Sequence, residues 1–177
     1  MTFQHLSAHR AVLAIVAILA CLSLVTFTAS DAEAARAESA HLKSGPGSKV
    51  LPGTKTPAKV EKMIRAANSI RNKPYRWGGG HGRWNDRGYD CSGAVGYVLH
   101  AAGLLSSPMT SGDLMRYGRS GGGRFVKIFA SKEHVYMVID GMRFDTSYIT
   151  DGDRTGPGWS EYKRPKQGFK TRHPAGL

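Results

Sequence analysis

The dipeptide Asp140-Gly141, set between the runs His134 to Ile139 and Met142 to Ser147, restricts the fold more than any other feature of the chain. Asp-Gly is a favoured two-residue link of a β-hairpin, because both turn positions need backbone conformations that these residues adopt cheaply. So short a link also fixes register, placing Ile139 opposite Met142, Tyr136 opposite Asp145 and His134 opposite Ser147. Residues two apart share a face, so His134, Tyr136, Arg143, Asp145 and Ser147 project together, with Asp145 diagonally across from His134. Phe125 to Ala130 reads as one more strand.

The chain before the hairpin is helical in pattern. Thr56-Pro57 reads as a cap followed by proline at the first helical position, and Val60, Met63, Ile64, Ala67 and Ile70 recur at helical spacing until Pro74 ends the run. Residues 75–89 combine Gly78-Gly79-Gly80 with Trp77 and Trp84, which marks a loop whose backbone approaches something closely. A second helix follows, with Asp90 at the cap, a stripe of Ala94, Val95, Val98, Leu99 and Ala102, and Gly103 as terminator. Helices ahead of strands predict an α+β domain, N-terminal helices packed on an antiparallel sheet, with a turn-rich, basic tail after Thr150.

Residues 1–34 have the order of a secretory signal: His5, His9 and Arg10, an apolar run from Ala11 to Phe27, then small residues ending in Ala32-Glu33-Ala34. Thr28-Ala29-Ser30 offers a second cleavage site, and two rivals are retention of the run as a membrane anchor and lipidation at Cys21. Residues 35–55 hold hardly a large apolar side chain and read as a flexible linker, which leaves residues 56–177 as one domain. From Ala35 onward, 24 Lys and Arg stand against 11 Asp and Glu, so the exported chain is expected to seek anionic polymers.

Cys91 is then the only cysteine left, so no intramolecular disulfide can form in a compartment that would preserve one. It opens the second helix, where unpaired backbone N–H groups and the helix dipole favour thiolate. Attack by a thiolate requires an imidazole partner and a third group to orient that imidazole. The hairpin offers His134 and Asp145 for these roles, with Ser147 or a backbone carbonyl as alternative orienting groups. His100 reads as a helix-face residue, the triple glycine lacks the setting of a phosphate loop, and no ligand spacing predicts a metal or cofactor.

Three blocks of this sequence, Pro74-Tyr75-Arg76-Trp77-Gly78-Gly79, Tyr89-Asp90-Cys91-Ser92-Gly93 and His134-Val135, resemble the NlpC/p-sixty family of bacterial cell-wall cysteine peptidases. The resemblance spans roughly Val60 to Ser147. It implies a papain-like core, Cys91 as nucleophile, His134 as base, and cleavage of the stem-peptide bond between γ-D-glutamate and a diamino acid. It further implies that Tyr75 and Trp77 line the site and that Asp90 and Ser92 place the substrate; core packing is the alternative for both aromatics.

Two departures stand out: Asp145 occupies a third position that is usually His, sometimes Asn or Gln, and Phe125-Val126-Lys127-Ile128-Phe129 replaces the usual Pro-Gly-Asp-Leu stretch. The expected protein is a monomeric endopeptidase of the cell envelope or exterior, acting on peptidoglycan stem peptides and drawn to anionic wall polymers. It has no specific nucleic-acid partner, and it meets a membrane only if the N-terminal segment is uncleaved. A non-catalytic cationic wall-binding module, and an amidase or acyltransferase using the same thiol, are the competing expectations.

Overall fold

The computed structural model describes residues 41–42, 48–161 and 163–177. The signal segment and Cys21 lie outside the described residues. A short antiparallel pair, β1 (His41–Leu42) and β2 (Val50–Leu51), precedes helix α1 (Ala58–Ile70). Helix α2 (Cys91–Ala101) and the single turn α3 (Ser111–Leu114) come next. Six strands then form one antiparallel sheet: β3 (Arg119–Ser120), β4 (Val126–Ala130), β5 (Val135–Ile139), β6 (Met142–Asp145), β7 (Gly158–Ser160) and β8 (Lys170–His173). Their spatial order is β3-β8-β4-β5-β6-β7, so the expected α+β class and antiparallel sheet are both observed.

The Asp-Gly link sets the register as expected. Met137, Val138 and Ile139 face Phe144, Arg143 and Met142, and Asp140 and Gly141 take φ of 49° and 87°. Alternation along β4 and β5 then sorts the side chains by face. Val126, Ile128, Ala130, Val135, Met137 and Ile139 are wholly buried against α1 and α2, whereas Lys127, Phe129, Tyr136 and Arg143 line the other face. α1 is amphipathic and α2 is apolar nearly all round, because α2 is covered by α1 as well as by β5.

The structure corrects the sequence reading in four places. Pro57 stands at the N-cap rather than inside the helix, and Thr56 makes no cap; its hydroxyl bonds the carboxylate of the turn residue Asp140 instead. β5 begins at Val135 and β6 ends at Asp145, so His134 and Ser147 lie just outside the ladder. His134 is fixed by a tight turn, its carbonyl accepting from Ser131 N at 2.8 Å and its N–H donating to Ser131 Oγ at 3.1 Å. The basic tail holds two strands, of which β8 is inserted between β3 and β4.

Within the stretch read as a linker, Val50 is buried and tied to α1. Asn68 accepts from Val50 N at 3.0 Å, donates to Val50 O at 2.8 Å, and accepts from Trp159 Nε1 at 3.0 Å. One amide thus joins the segment before α1, the helix and β7. Asn68→Ala should cost about 1–3 kcal/mol by stranding these groups, read as a lowered midpoint in equilibrium denaturation; an unchanged midpoint would show the three bonds to be dispensable.

Candidate active site

Cys91 is the first residue of α2, and the turn that holds it is built by Asp90 and the glycine loop. Asp90 Oδ1 accepts from Gly93 N at 2.7 Å and from Ser92 Oγ at 3.1 Å, while Oδ2 accepts from Gly78 N at 3.0 Å. The carboxylate therefore caps the helix and pins the loop to it. The loop lies flush on the helix: a Cβ on Gly93 would sit 1.9 Å from Gly79 O, and one on Gly80 would sit 2.8 Å from the Gly93 Cα. Gly78 and Gly80 have φ of 72° and 87°, conformations that glycine adopts without penalty. The close approach expected from the triple glycine is thus to the helix that carries Cys91.

Because Asp90 takes the Gly93 N–H and the Asp90 carbonyl takes that of Ala94, the backbone N–H groups of Cys91 and Ser92 have no partner among the described residues. Free donors at a helix start can receive developing negative charge.

The sheet brings His134 and Asp145 to the thiol. His134 Nε2 lies 2.8 Å from Asp145 Oδ1, and the ring stands beside the Cys91 side chain. With Nε2 engaged by the carboxylate, Nδ1 is the nitrogen left for the sulfur. Burial alone would lower the imidazole's pKa, but the bond to Asp145 and the interaction with Cys91 outweigh it and raise it to about 9.

Asp145 is fully enclosed and accepts from Ser147 N at 3.0 Å and from Arg164 Nη1 at 3.1 Å, with Arg143 Nε at 3.7 Å. Burial pushes its carboxyl upward, but the bonds from His134 and Ser147 N and the Arg143 charge hold it below the ordinary carboxylate range. Arg143 and Arg164 also reach Asp151, at 3.3 and 3.7 Å, and Arg143 donates to Ser147 O at 2.9 Å. Ser147, one alternative orienting group, thus serves the carboxylate through its backbone N–H, and the diagonal contact expected between Asp145 and His134 is the one observed.

A cleft of about 570 Å³ opens over Cys91, lined by Tyr75, Trp77, Asp90 and Ser92. Trp77 is 81 % exposed, which rules out the core-packing alternative for it. Tyr75 is half-buried beside the thiol; burial raises its pKa, Cys91 and Asp90 add to the rise, and Arg154, stacked at 5.6 Å, opposes it. His100, as expected, lies on its helix face, stacked on Trp84 at 4.1 Å.

Sequence reasoning missed His81, whose Nε2 lies 3.1 Å from both Asp90 Oδ1 and Ser92 Oγ, and the cleft residues Lys132, Glu133 and Arg154. It also missed Arg164, 19 residues beyond Asp145 in a tail without periodic pattern.

No family model matches the chain. An 82-residue stretch is 37 % identical to the peptidoglycan endopeptidase RipB of Mycobacterium tuberculosis, covering 41 % of this chain and 34 % of RipB. The matched stretch therefore spans about a third of the length of these curated relatives. Among solved structures, the p-sixty domain of an antigen from M. avium subspecies paratuberculosis is similar with a TM-score of 0.51 and 28 % identity, over 64 % of this chain and 93 % of that one. The M. tuberculosis peptidoglycan hydrolase RipB gives a TM-score of 0.51 and 30 % identity, over 64 % of each chain.

A six-stranded antiparallel sheet with helices on one face, and a helix-start cysteine beside a histidine that stands just before β5, define an α+β domain of the p-sixty type. In sequence and fold the chain is similar to NlpC/p-sixty domains.

The fit between Gly93 and the glycine loop is what sets the thiol's position. Gly93→Ala should lower stability by about 2 kcal/mol or more, since a backbone carbonyl blocks the added methyl, and should slow alkylation of Cys91 by iodoacetamide. Wild-type stability and labelling rate together would show that the loop does not hold the helix start.

Proposed function

We propose that this protein is a peptidoglycan hydrolase working as a cysteine peptidase, with Cys91 as nucleophile, His134 as proton carrier and Asp145 as the group that orients and charges the imidazole. The observation that carries the reading is the placement of His134 between the Cys91 side chain and a fully enclosed carboxylate.

In the first half of the reaction the Cys91 thiolate adds to the amide carbonyl, and the oxyanion is received by the free N–H groups at the start of α2. His134 then gives its proton to the departing amine, leaving a thioester on Cys91 and a neutral ring. In the second half His134 takes a proton from water, the resulting hydroxide adds to the thioester carbonyl, and the C–S bond breaks to release the acid and restore the Cys91 thiolate beside the protonated ring. Asp145 keeps its charge throughout and holds the ring with Nδ1 toward the sulfur.

The substrate we propose is the stem peptide, cut between γ-D-glutamate and a diamino acid. RipB, similar over part of this chain, is a peptidoglycan endopeptidase. The cleft suits a substrate bearing both charges, since Lys132 and Arg154 line it together with Glu133 and Asp90. Action outside the cytoplasm follows from the export pattern of residues 1–34, and Tyr75, Trp77, Asp90 and Ser92 are the residues proposed to seat the peptide.

Digestion of purified muropeptides tests the reading. Wild-type protein should release fragments ending in D-glutamate and fragments beginning with the diamino acid, and Cys91→Ala should abolish both while retaining the fold by circular dichroism. An identical product profile for the two would reject cysteine catalysis, and cleavage at another amide would move the assignment to an amidase.

A further inference from the structure

The sheet face turned away from the helices holds a second cavity, of about 320 Å³. It is separate from the Cys91 cleft, and its floor is the aromatic pair Phe129 and Tyr136, stacked at 4.8 Å. Three lysines line it, Lys127, Lys163 and Lys166, against one carboxylate, Glu161. The two guanidiniums at its edge, Arg143 and Arg164, are already engaged with Asp145 and Asp151. Among the described residues no ion pair engages any of the three lysines, so the lining carries an excess of two positive charges.

Several contacts hold Lys127, Lys166 and Arg164 in place. Lys166 stands over Phe129 at 5.9 Å, and Arg164 stands over Tyr136 at 5.7 Å and Phe169 at 5.8 Å. The Lys127 stem lies along Gly122, where an added Cβ would come within 3.1 Å of its Cε. Tyr136 adds a neutral donor: its hydroxyl has no hydrogen-bond partner among the described residues. Burial, with Asp145 adding to it, raises that phenol to about 12, so it keeps its proton at physiological pH.

We propose that this cavity is a phosphate-binding site. A carboxylate would neutralise only one of the two excess charges and offers two oxygens. A phosphate monoester carries about 1.5 to 2 negative charges at neutral pH and three strong acceptor oxygens, which matches the charge excess, the three ammonium groups and the phenol. Exchange of lysine–water for lysine–phosphate contacts would make binding salt-dependent but not abolish it, because Lys166 is held against the Phe129 ring and Lys127 along Gly122. The site reads the phosphate group itself, which free phosphate, a glycerol- or sugar-phosphate chain and a lipid headgroup share.

Calorimetric titration of the full chain with inorganic phosphate, against sodium chloride of equal ionic strength, tests the site without requiring catalysis, so its failure leaves the hydrolase reading untouched. Lys127→Gln combined with Lys166→Gln should weaken binding about tenfold or more. Lys59→Gln combined with Lys62→Gln removes the same charge from exposed positions of α1 and should leave affinity within about twofold, because distant surface charges are screened.

Equal weakening by the two pairs, or no heat beyond the chloride control, would overturn the proposal. Repeating the titration with poly(glycerol phosphate) and with vesicles of anionic phospholipid identifies the source. The ligand whose binding depends on Lys127 and Lys166 is the natural form, and dependence for inorganic phosphate alone assigns the site to a soluble monoester.

Discussion

The buried carboxylate of Asp145 is the constraint around which the site is arranged. Removing a charge from water costs several kcal/mol even after relaxation, unless paired groups compensate. Asp145 is compensated on every side: by His134, the Ser147 N–H, Arg164 and Arg143. It therefore stays ionised inside the protein and acts on the imidazole, which it both orients and favours in the charged form. The same carboxylate ties the C-terminal segment to the hairpin through Arg164, so the site depends on residues far beyond the two strands that present it.

The thiol reaches this pair by an independent route. Gly93 and Gly79 come so close that neither α2 nor the loop can shift alone, and Asp90 locks the contact by capping one and binding the other. Helix α2 is in turn buried between α1 and β5, which relates the helix start to the hairpin through the apolar core. Two rigid constructions meeting at one point suit a reaction in which proton transfer requires the ring and the sulfur to be held in contact.

Much of this was legible in the sequence because its signals are local. Asp140-Gly141 determines register within a few residues, and Asp90 and the glycines act on their immediate neighbours. The diagonal between His134 and Asp145 follows from that register even though His134 lies outside the ladder. What escaped reading is non-local or carried by backbone pairing. β8 has the sequence Lys-Thr-Arg-His, without apolar alternation, and owes its place to hydrogen bonds with β4. Val50 sits in a stretch poor in apolar residues and is ordered by Asn68, 18 residues away. Arg164 and His81 were missed for the same reason: their partners are set by the fold, and neither has a pattern of its own.

The central claim is that Asp145 keeps His134 charged beside Cys91. A proton NMR titration of the His134 ring, in wild-type protein and in Asp145→Asn, measures this directly. The account predicts a wild-type midpoint near 9, with the ring protonated below it, and a clear downward shift in Asp145→Asn because the compensating negative charge is gone. A wild-type midpoint near the ordinary histidine value of about 6.5, or one that Asp145→Asn leaves in place, would contradict it.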